Sequence, residues 1–174
     1  MIQEGQKAPD FALPGVEDGA PAVYELFRAI ENDDAVLLWF MPSTFLPTAT
    51  AELKAIAAAG WHDCQGIQVW ALSMDSIYAA AAYADRYGFP MAFLGDAKSA
   101  ASYYGVEYDE WEGHYNAPKR AVFLIGTDWR VEFAWTTADA FEPSKPSPVE
   151  LVSETITSRF SDAETPPPVN YTTK

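Results

Sequence analysis

Residues 38–53 read LWFMPSTFLPTATAEL, and this stretch joins a strand pattern to a helix pattern. The strand pattern is an unbroken apolar run over residues 35–41 that stops at Pro42, as is typical of a strand buried on both faces of a parallel sheet. Apolar residues at helical spacing then predict a helix over residues 47–59, with a proline in its first turn and Gly60 as its end. A buried strand that leads into a helix indicates an α/β domain.

Strand and helix patterns alternate along the rest of the chain. Further strands are predicted at residues 67–73, 91–94, 120–125 and 131–135, and further helices at residues 77–87, 97–104 and 148–160. Ser76 is expected to cap the helix that Gly88 ends. Residues 2–15 are predicted to be extended, residues 23–27 to form a short strand or helical turn, and residues 108–117 to form an aromatic-rich loop. The alternation indicates an α/β layered sandwich; a thioredoxin-like fold fits it, and several other α/β folds fit it nearly as well.

The composition indicates one folded domain with a strongly acidic surface. The chain has 174 residues, 49% of them hydrophobic, and a formal net charge of −14. Such a charge repels phosphate backbones, so nucleic-acid binding is not expected. The acidic excess favours a halophilic protein, because high salt screens the self-repulsion; an ordinary acidic protein from a low-salt organism is the alternative.

The sequence also predicts where the protein is found. No apolar run is long enough to span a bilayer, so no membrane association is expected. The first residues, MIQEGQKAPDF, lack the charged-then-apolar pattern of a secretory signal, and a cytoplasmic location is expected. Cys64 is the one cysteine of the chain, which excludes an intrachain disulfide.

Several sequence blocks together resemble the peroxiredoxin family, of the alkyl hydroperoxide reductase and thiol-specific antioxidant (AhpC/TSA) type. Besides residues 38–53, these blocks are GQKAPDFALPG at 5–15, VWALSMDS at 69–76, FLGDAKSAASYYGV at 93–106 and RAVFLIGTDWRVEFAW at 120–135. The resemblance covers roughly residues 3–136. It implies a thioredoxin-like three-layer sandwich with a central mixed β-sheet, which we place at residues 1–160, followed by a Pro-rich tail at residues 161–174. It also implies a homodimer or a larger homo-oligomer.

The resemblance further identifies the position of the reacting residue. The family's motif Pro-x-x-x-Thr-x-x-Cys, aligned on Pro42, places Leu46 at the threonine and Ala49 at the cysteine. In the family, this cysteine lies at a helix N-terminus, where partial positive charge and an arginine stabilise its thiolate. The threonine hydroxyl orients the peroxide. Pro42 and Arg120 match this pattern, whereas the hydroxyl donor and the nucleophile are both replaced.

Three classes of function are compatible with these replacements. The first is a non-catalytic pseudoperoxidase that acts by binding or assembly, because the methyl group of Ala49 cannot attack a peroxide. The alternative is a thiol-dependent antioxidant peroxidase, served by a thiol reductant, whose cysteine was replaced deliberately by Ala49. Leu46 nearby favours natural loss, and the otherwise intact scaffold favours deliberate replacement. The third class is an enzyme that uses Cys64 or a bound metal.

Arg120 has two interpretations at the sequence level. An arginine that opens an apolar strand is costly to bury unless it is paired. It is expected to contribute to an anion or peroxide pocket near the helix N-terminus at Pro47, or to form a salt bridge with a carboxylate such as Glu52. Both interpretations can hold at once.

The remaining candidate residues carry weaker signals. Cys64 follows His62 closely enough for thiol activation, but a loop or core cysteine without redox duty is the favoured interpretation. His62 and His114 lack metal-ligand spacing, so neither a metal nor a cofactor is predicted. Trp111 and Tyr115 belong to an acidic aromatic loop, which is a candidate contact surface or a loop pinned to the core. The Pro-rich tail is a candidate arm for a neighbouring subunit.

Overall fold

The computed structural model of the chain describes residues 1–172 and is built around a seven-stranded sheet. The strands in chain order are β1 (Ala12–Glu17), β2 (Ala20–Glu25), β3 (Ala35–Phe40), β4 (Ile67–Leu72), β5 (Ala92–Leu94), β6 (Glu110–Trp111), β7 (His114–Tyr115), β8 (Arg120–Ile125) and β9 (Val131–Thr137). The large sheet has the order β2-β1-β5-β4-β3-β8-β9, and β6 pairs with β7 in a separate ribbon. The central strands β3, β4 and β5 are parallel and the outer pairings are antiparallel, which confirms the predicted mixed sheet.

Helices cover both faces of this sheet. They are α1 (Leu26–Glu31), α2 (Pro47–Ala59), α3 (Ile77–Tyr87), α4 (Lys98–Tyr104) and α5 (Pro148–Arg159), with one 3-10 turn at Trp61–Asp63. On one face, α2, α3 and α5 contribute Leu53, Tyr83 and Val152 to a buried core. On the other face, α1 and α4 contribute Leu26 and Tyr104 to a second core. The fold is therefore the expected α/β three-layer sandwich, and none of its helices within residues 1–172 is long and apolar enough to cross a bilayer.

Strand β3 shows why a layer forms on each side of the sheet. All six of its residues are buried. Leu37 and Trp39 point into the core beneath α2, whereas Val36, Leu38 and Phe40 point into the opposite core, because successive side chains of a strand alternate between faces. A strand without a polar face is stable only when both faces are covered.

Local signals predicted most helix bounds correctly. Helix α2 covers the predicted residues, and Gly60 follows it in a left-handed conformation. The Oγ of Ser76 accepts a hydrogen bond from the backbone N–H of Ala79 at 3.3 Å, and Gly88 ends α3 with a positive φ. These predictions are confirmed because caps and left-handed stops act within a few residues of themselves.

Three segments form more regular structure than their predictions specified. Residues 23–27 are shared between β2 and α1, and the chain changes element where the backbone N–H of Leu26 bonds the carbonyl of Phe11. The predicted extended segment, residues 2–15, leads into β1, which reaches Glu17 and is a full member of the sheet between β2 and β5. The aromatic loop contains the β6–β7 ribbon, whose turn uses positive φ angles at Glu112 and Gly113.

Candidate functional site

The candidate site lies where β3 passes into α2. The chain leaves β3 at Phe40, turns through Pro42 and enters α2 with Leu46 at the N-cap position and Pro47 at the helix start. Ala49 is therefore in the first turn of α2, and its side chain is fully buried. Free N–H groups and partial positive charge at such a helix start stabilise an anion, but a methyl group cannot become one.

A buried ion pair lies one helical turn beyond Ala49. Glu52 shares a face of α2 with Ala49 because residues three apart in a helix are neighbours. Its Oε2 is 2.6 Å from Nη2 of Arg120, and the two side chains are only 1% and 2% exposed. The salt bridge that the sequence offered as one interpretation of Arg120 is thus confirmed.

The guanidinium of Arg120 is held by further groups. Its Nη1 donates to the backbone carbonyls of Asp139 at 3.2 Å and Glu142 at 3.1 Å. Its planar head also lies 5.5 Å from the ring of Trp135 on the neighbouring strand β9, within range of a cation–π contact. The Nε of Arg120 is buried and has no hydrogen-bond partner among residues 1–172. One donor of the site is thus unused.

The loop after β9 is shaped to supply those carbonyls. The Oδ1 of Asp139 accepts the backbone N–H groups of Phe141 and Glu142, each at 2.9 Å. These hydrogen bonds hold the pKa of the Asp139 carboxyl below its ordinary value. The hydroxyl of Thr48 donates to the carbonyl of Phe141, so the loop is also tied to the first turn of α2.

Tyr171 brings the C-terminal part of the chain to the same carboxylate. Its hydroxyl donates to Glu52 Oε2 at 2.8 Å. Burial raises the pKa of Glu52, and the opposing influences of Arg120 and Tyr171 do not fully offset it. Burial and the charge of Glu52 also raise the pKa of Tyr171, so this phenol stays protonated and remains a donor at neutral pH.

A cleft of about 390 Å³ lies beside this cluster. Its walls combine aromatic rings, hydroxyl groups and one ammonium group; they are formed by Phe45, Pro47, Thr50, Ala51, Lys54, Tyr87, Tyr171 and Thr172. Phe45 adopts a positive φ of 66° and its ring remains half-exposed, packed 4.8 Å from the ring of Tyr83. The cleft is linked to Glu52 through Tyr171, which lines it and donates to that carboxylate.

The hydroxyl groups near the start of α2 are already engaged. Leu46 offers no hydroxyl, and Thr44 donates to Asp75 Oδ2 at 2.9 Å. The hydroxyl of Thr50 lies 2.6 Å from that of Tyr83. None of these groups replaces the missing nucleophile, because an alcohol oxygen, unlike the sulfur of a thiolate, cannot be oxidised by a peroxide.

Cys64 lies at the opposite end of α2. The rise of about 1.5 Å per residue places roughly 18 Å between the first and last residues of this helix. Cys64 follows the 3-10 turn beyond that far end, where it is buried. Burial, with the nearby charges of Asp162, Asp63 and Glu164, raises the pKa of its thiol and disfavours the reactive thiolate.

Neither the histidines nor the aromatic loop forms a metal site among residues 1–172. His62 contacts Asp63 at 3.3 Å, whereas His114 is exposed in the ribbon. Among residues 1–172, no three His, Cys, Asp or Glu side chains are placed to hold a metal ion. Trp111 stacks 6.1 Å from Phe141, so the ribbon rests on the loop that contacts Arg120, while Tyr115 stays exposed.

Comparison with known proteins identifies the family. The profile of the AhpC/TSA family matches residues 4–134. The chain belongs to this peroxiredoxin family. It is 29% identical over 143 residues to a protein of Coxiella burnetii named as peroxiredoxin bcp, an alignment that spans 77% of this chain and 88% of that protein. It is 31% identical over 139 residues to the selenocysteine-containing peroxiredoxin PrxU of Peptoclostridium acidaminophilum, which covers 74% of this chain and 64% of PrxU.

Solved peroxiredoxin structures share the fold. The reduced 2-Cys peroxiredoxin of Plasmodium vivax superposes with a TM-score of 0.68 at 25% identity, covering 81% of this chain and 88% of that one. The AhpC of Enterococcus faecalis superposes with a TM-score of 0.71 at 20% identity, covering 91% and 93% of the two chains. The expected peroxiredoxin version of the thioredoxin-like fold is therefore confirmed.

Proposed function

We propose that this peroxiredoxin-family chain is a pseudoperoxidase that does not reduce peroxides and acts by binding or assembly. The observation that carries the proposal is the buried methyl group of Ala49 in the first turn of α2. A peroxidase of this family needs a sulfur or selenium atom that attacks one peroxide oxygen and is oxidised by it. The chain offers no such atom at this helix start, and Cys64 lies about a helix length away with its thiol held protonated.

The proposed inactivity is tested on the unmodified protein. We expect hydrogen peroxide in the presence of dithiothreitol to disappear no faster with the protein than without it. Cys64→Ser serves as the matched variant and is expected to behave identically. Peroxide loss that is proportional to protein concentration would contradict the proposal. Its abolition by Cys64→Ser, or by a chelator, would then assign the activity to that thiol or to a metal.

The second candidate is a thiol-dependent antioxidant peroxidase whose cysteine has been replaced by Ala49. The observation in its favour is that the surroundings of position 49 are preserved. They are Pro42, the start of α2, which has no side-chain cap, and the Arg120–Glu52 pair. This candidate requires the natural gene to encode cysteine at position 49, with a thiol reductant as the partner. Sequencing that codon in the source organism decides the matter, because an alanine codon there contradicts this candidate.

We propose assembly into homodimers or larger rings in a salt-rich cytoplasm as the mode of action. The large sheet ends at β2 and β9; Val131 at the start of β9 already bonds Gly5 and Gln6, and the rest of its outer edge is the proposed template for pairing. The net charge of −14 opposes association at low salt, and the repulsion is screened at about 2 M salt. Light scattering after size exclusion in high salt is expected to give at least the mass of a dimer. A monomer at micromolar concentration would contradict self-assembly.

A further inference from the structure

The chain beyond α5 begins by packing on the 3-10 turn and the loop that follow α2. The carboxylate of Asp162 accepts a hydrogen bond from the backbone N–H of Gln65 at 3.0 Å. The carbonyl of Glu164 accepts another from the indole N–H of Trp61 at 2.9 Å. Because Trp61 is fully buried, this second contact ties the segment to a fixed point of the core.

A run of prolines then directs the segment along α5. Residues 166–168 and Thr165 line a cleft of about 330 Å³ together with Val149, Ser153 and Thr157 of that helix. Consecutive prolines favour an extended, stiff chain and have no N–H groups that need partners. Val169 packs against the core that α2 and α5 share. The segment therefore runs from one end of α2 back toward the other, on its own subunit.

Tyr171 ends this path against the buried ion pair. Its phenol hydroxyl lies 2.8 Å from Oε2 of Glu52, the same oxygen that accepts from Arg120. Its ring forms a wall of the 390 Å³ cleft, opposite the start of α2. A phenol thus sits within hydrogen-bond distance of a carboxylate that is almost completely removed from water. Such a carboxylate requires donors, and Tyr171 supplies one of them.

We propose that residues 161–172 form a tethered lid over the candidate site, and that Tyr171 occupies a binding site for phenol-type ligands whose hydroxyl donates to Glu52. The lid opens locally, since its last anchors are the Tyr171–Glu52 hydrogen bond and the packing of Val169, not a strand of the sheet. Opening removes the Tyr171 wall of the cleft and one donor to Glu52, and a free phenol takes the place of both. This inference goes beyond the proposed function and does not rest on it, because no peroxide or thiol takes part.

A reporter thiol in the cleft measures lid opening. Ala51 is buried and lines the cleft with Tyr171, so Ala51→Cys places a thiol where the closed lid shields it from iodoacetamide. Alkylation is measured by mass spectrometry, and circular dichroism verifies that each variant is folded. Deletion of residues 170–174 is expected to raise the alkylation rate about tenfold, and Tyr171→Phe to raise it by a smaller factor. The matched control Tyr115→Phe, at an exposed ring in the ribbon, is expected to leave it unchanged.

Ligand addition tests the chemistry of the site in the same reporter. In the deletion variant, 4-methylphenol is expected to restore protection of the thiol, whereas 4-methylanisole, which cannot donate a hydrogen bond, is not. The lid would be overturned if neither the deletion nor Tyr171→Phe changed the alkylation rate of the folded variants. Equal protection by the two ligands would overturn the phenol site. Because peroxide consumption is not measured, either result leaves the test of peroxidase activity independent.

Discussion

At the scale of single residues, removal of the Arg120–Glu52 pair is expected to lower the free energy of unfolding more than removal of an exposed ion pair. Arg120→Met leaves the buried carboxylate of Glu52 without its cation and frees two loop carbonyls from their donor. We expect a loss of about 3 kcal/mol in the free energy of unfolding, measured by urea denaturation at pH 7. The matched control is Arg159→Met, which removes a partly exposed pair with Glu132 and should cost less than about 1 kcal/mol.

The stability cost of Arg120→Met is expected to depend on pH through the carboxyl group of Glu52. The pKa of Glu52 is already raised by burial, and loss of Arg120 removes the main influence that lowers it. A raised carboxyl pKa means that the folded state binds the proton more tightly than the unfolded state, so stability falls as pH rises through the folded value. The cost of Arg120→Met should therefore grow between pH 5 and pH 8. A cost that is flat or shrinks over this window would contradict the account of the pair.

At the scale of elements, the cap of α3 is the most direct local test. Ser76→Ala removes the side-chain oxygen that accepts the N–H of Ala79, and we expect a loss of about 1 kcal/mol in urea denaturation. Ser158→Ala, at an exposed position near the end of α5, is the control and should change stability by less than about 0.5 kcal/mol. Equal effects of the two substitutions would show that the cap does not stabilise α3.

The elements also show how far the sequence predicts this molecule. Helices α2 and α3 follow from signals that lie within one turn of their ends, such as Gly60 and Ser76. The placement of Ala49 in a first turn followed from the same local pattern together with the resemblance. Glu52 could be offered as the partner of Arg120 because a buried arginine needs a carboxylate, although 68 residues separate them.

Contacts that depend on the folded surface had no such signal. Tyr171 reaches Glu52 across 119 residues of sequence, and nothing in the tail's polar, Pro-rich composition indicates a buried partner. Residues 161–172 of the tail pack on their own chain, a placement that the sequence did not predict, while an additional contact of the tail with a neighbouring subunit stays a prediction. The β6–β7 ribbon was missed because each of its strands has only two residues, too few for a period-two pattern.

At the scale of the whole molecule, the acidic surface predicts a strong response to salt. Self-repulsion from a net charge of −14 destabilises the folded chain and is screened as ionic strength rises. We expect the free energy of unfolding to increase between about 0.1 M and about 2 M KCl. Replacing exposed Glu4, Asp18 and Glu31 by their amides should reduce that increase. A stability that is insensitive to KCl, or that falls with it, would contradict a halophilic origin.

We infer that Ala49 is the decisive difference between this chain and a working peroxidase, with Leu46 a lesser one, and placing a cysteine at position 49 tests this inference. Peroxide consumption is followed for the protein and for Ala49→Cys, side by side in high salt with a thiol reductant. We expect the variant to consume peroxide faster than a free thiol, because the free N–H groups at the start of α2 stabilise the new thiolate, and the unmodified chain to consume none. Equal rates for the two proteins, whether both fast or both no faster than a free thiol, would contradict the claim.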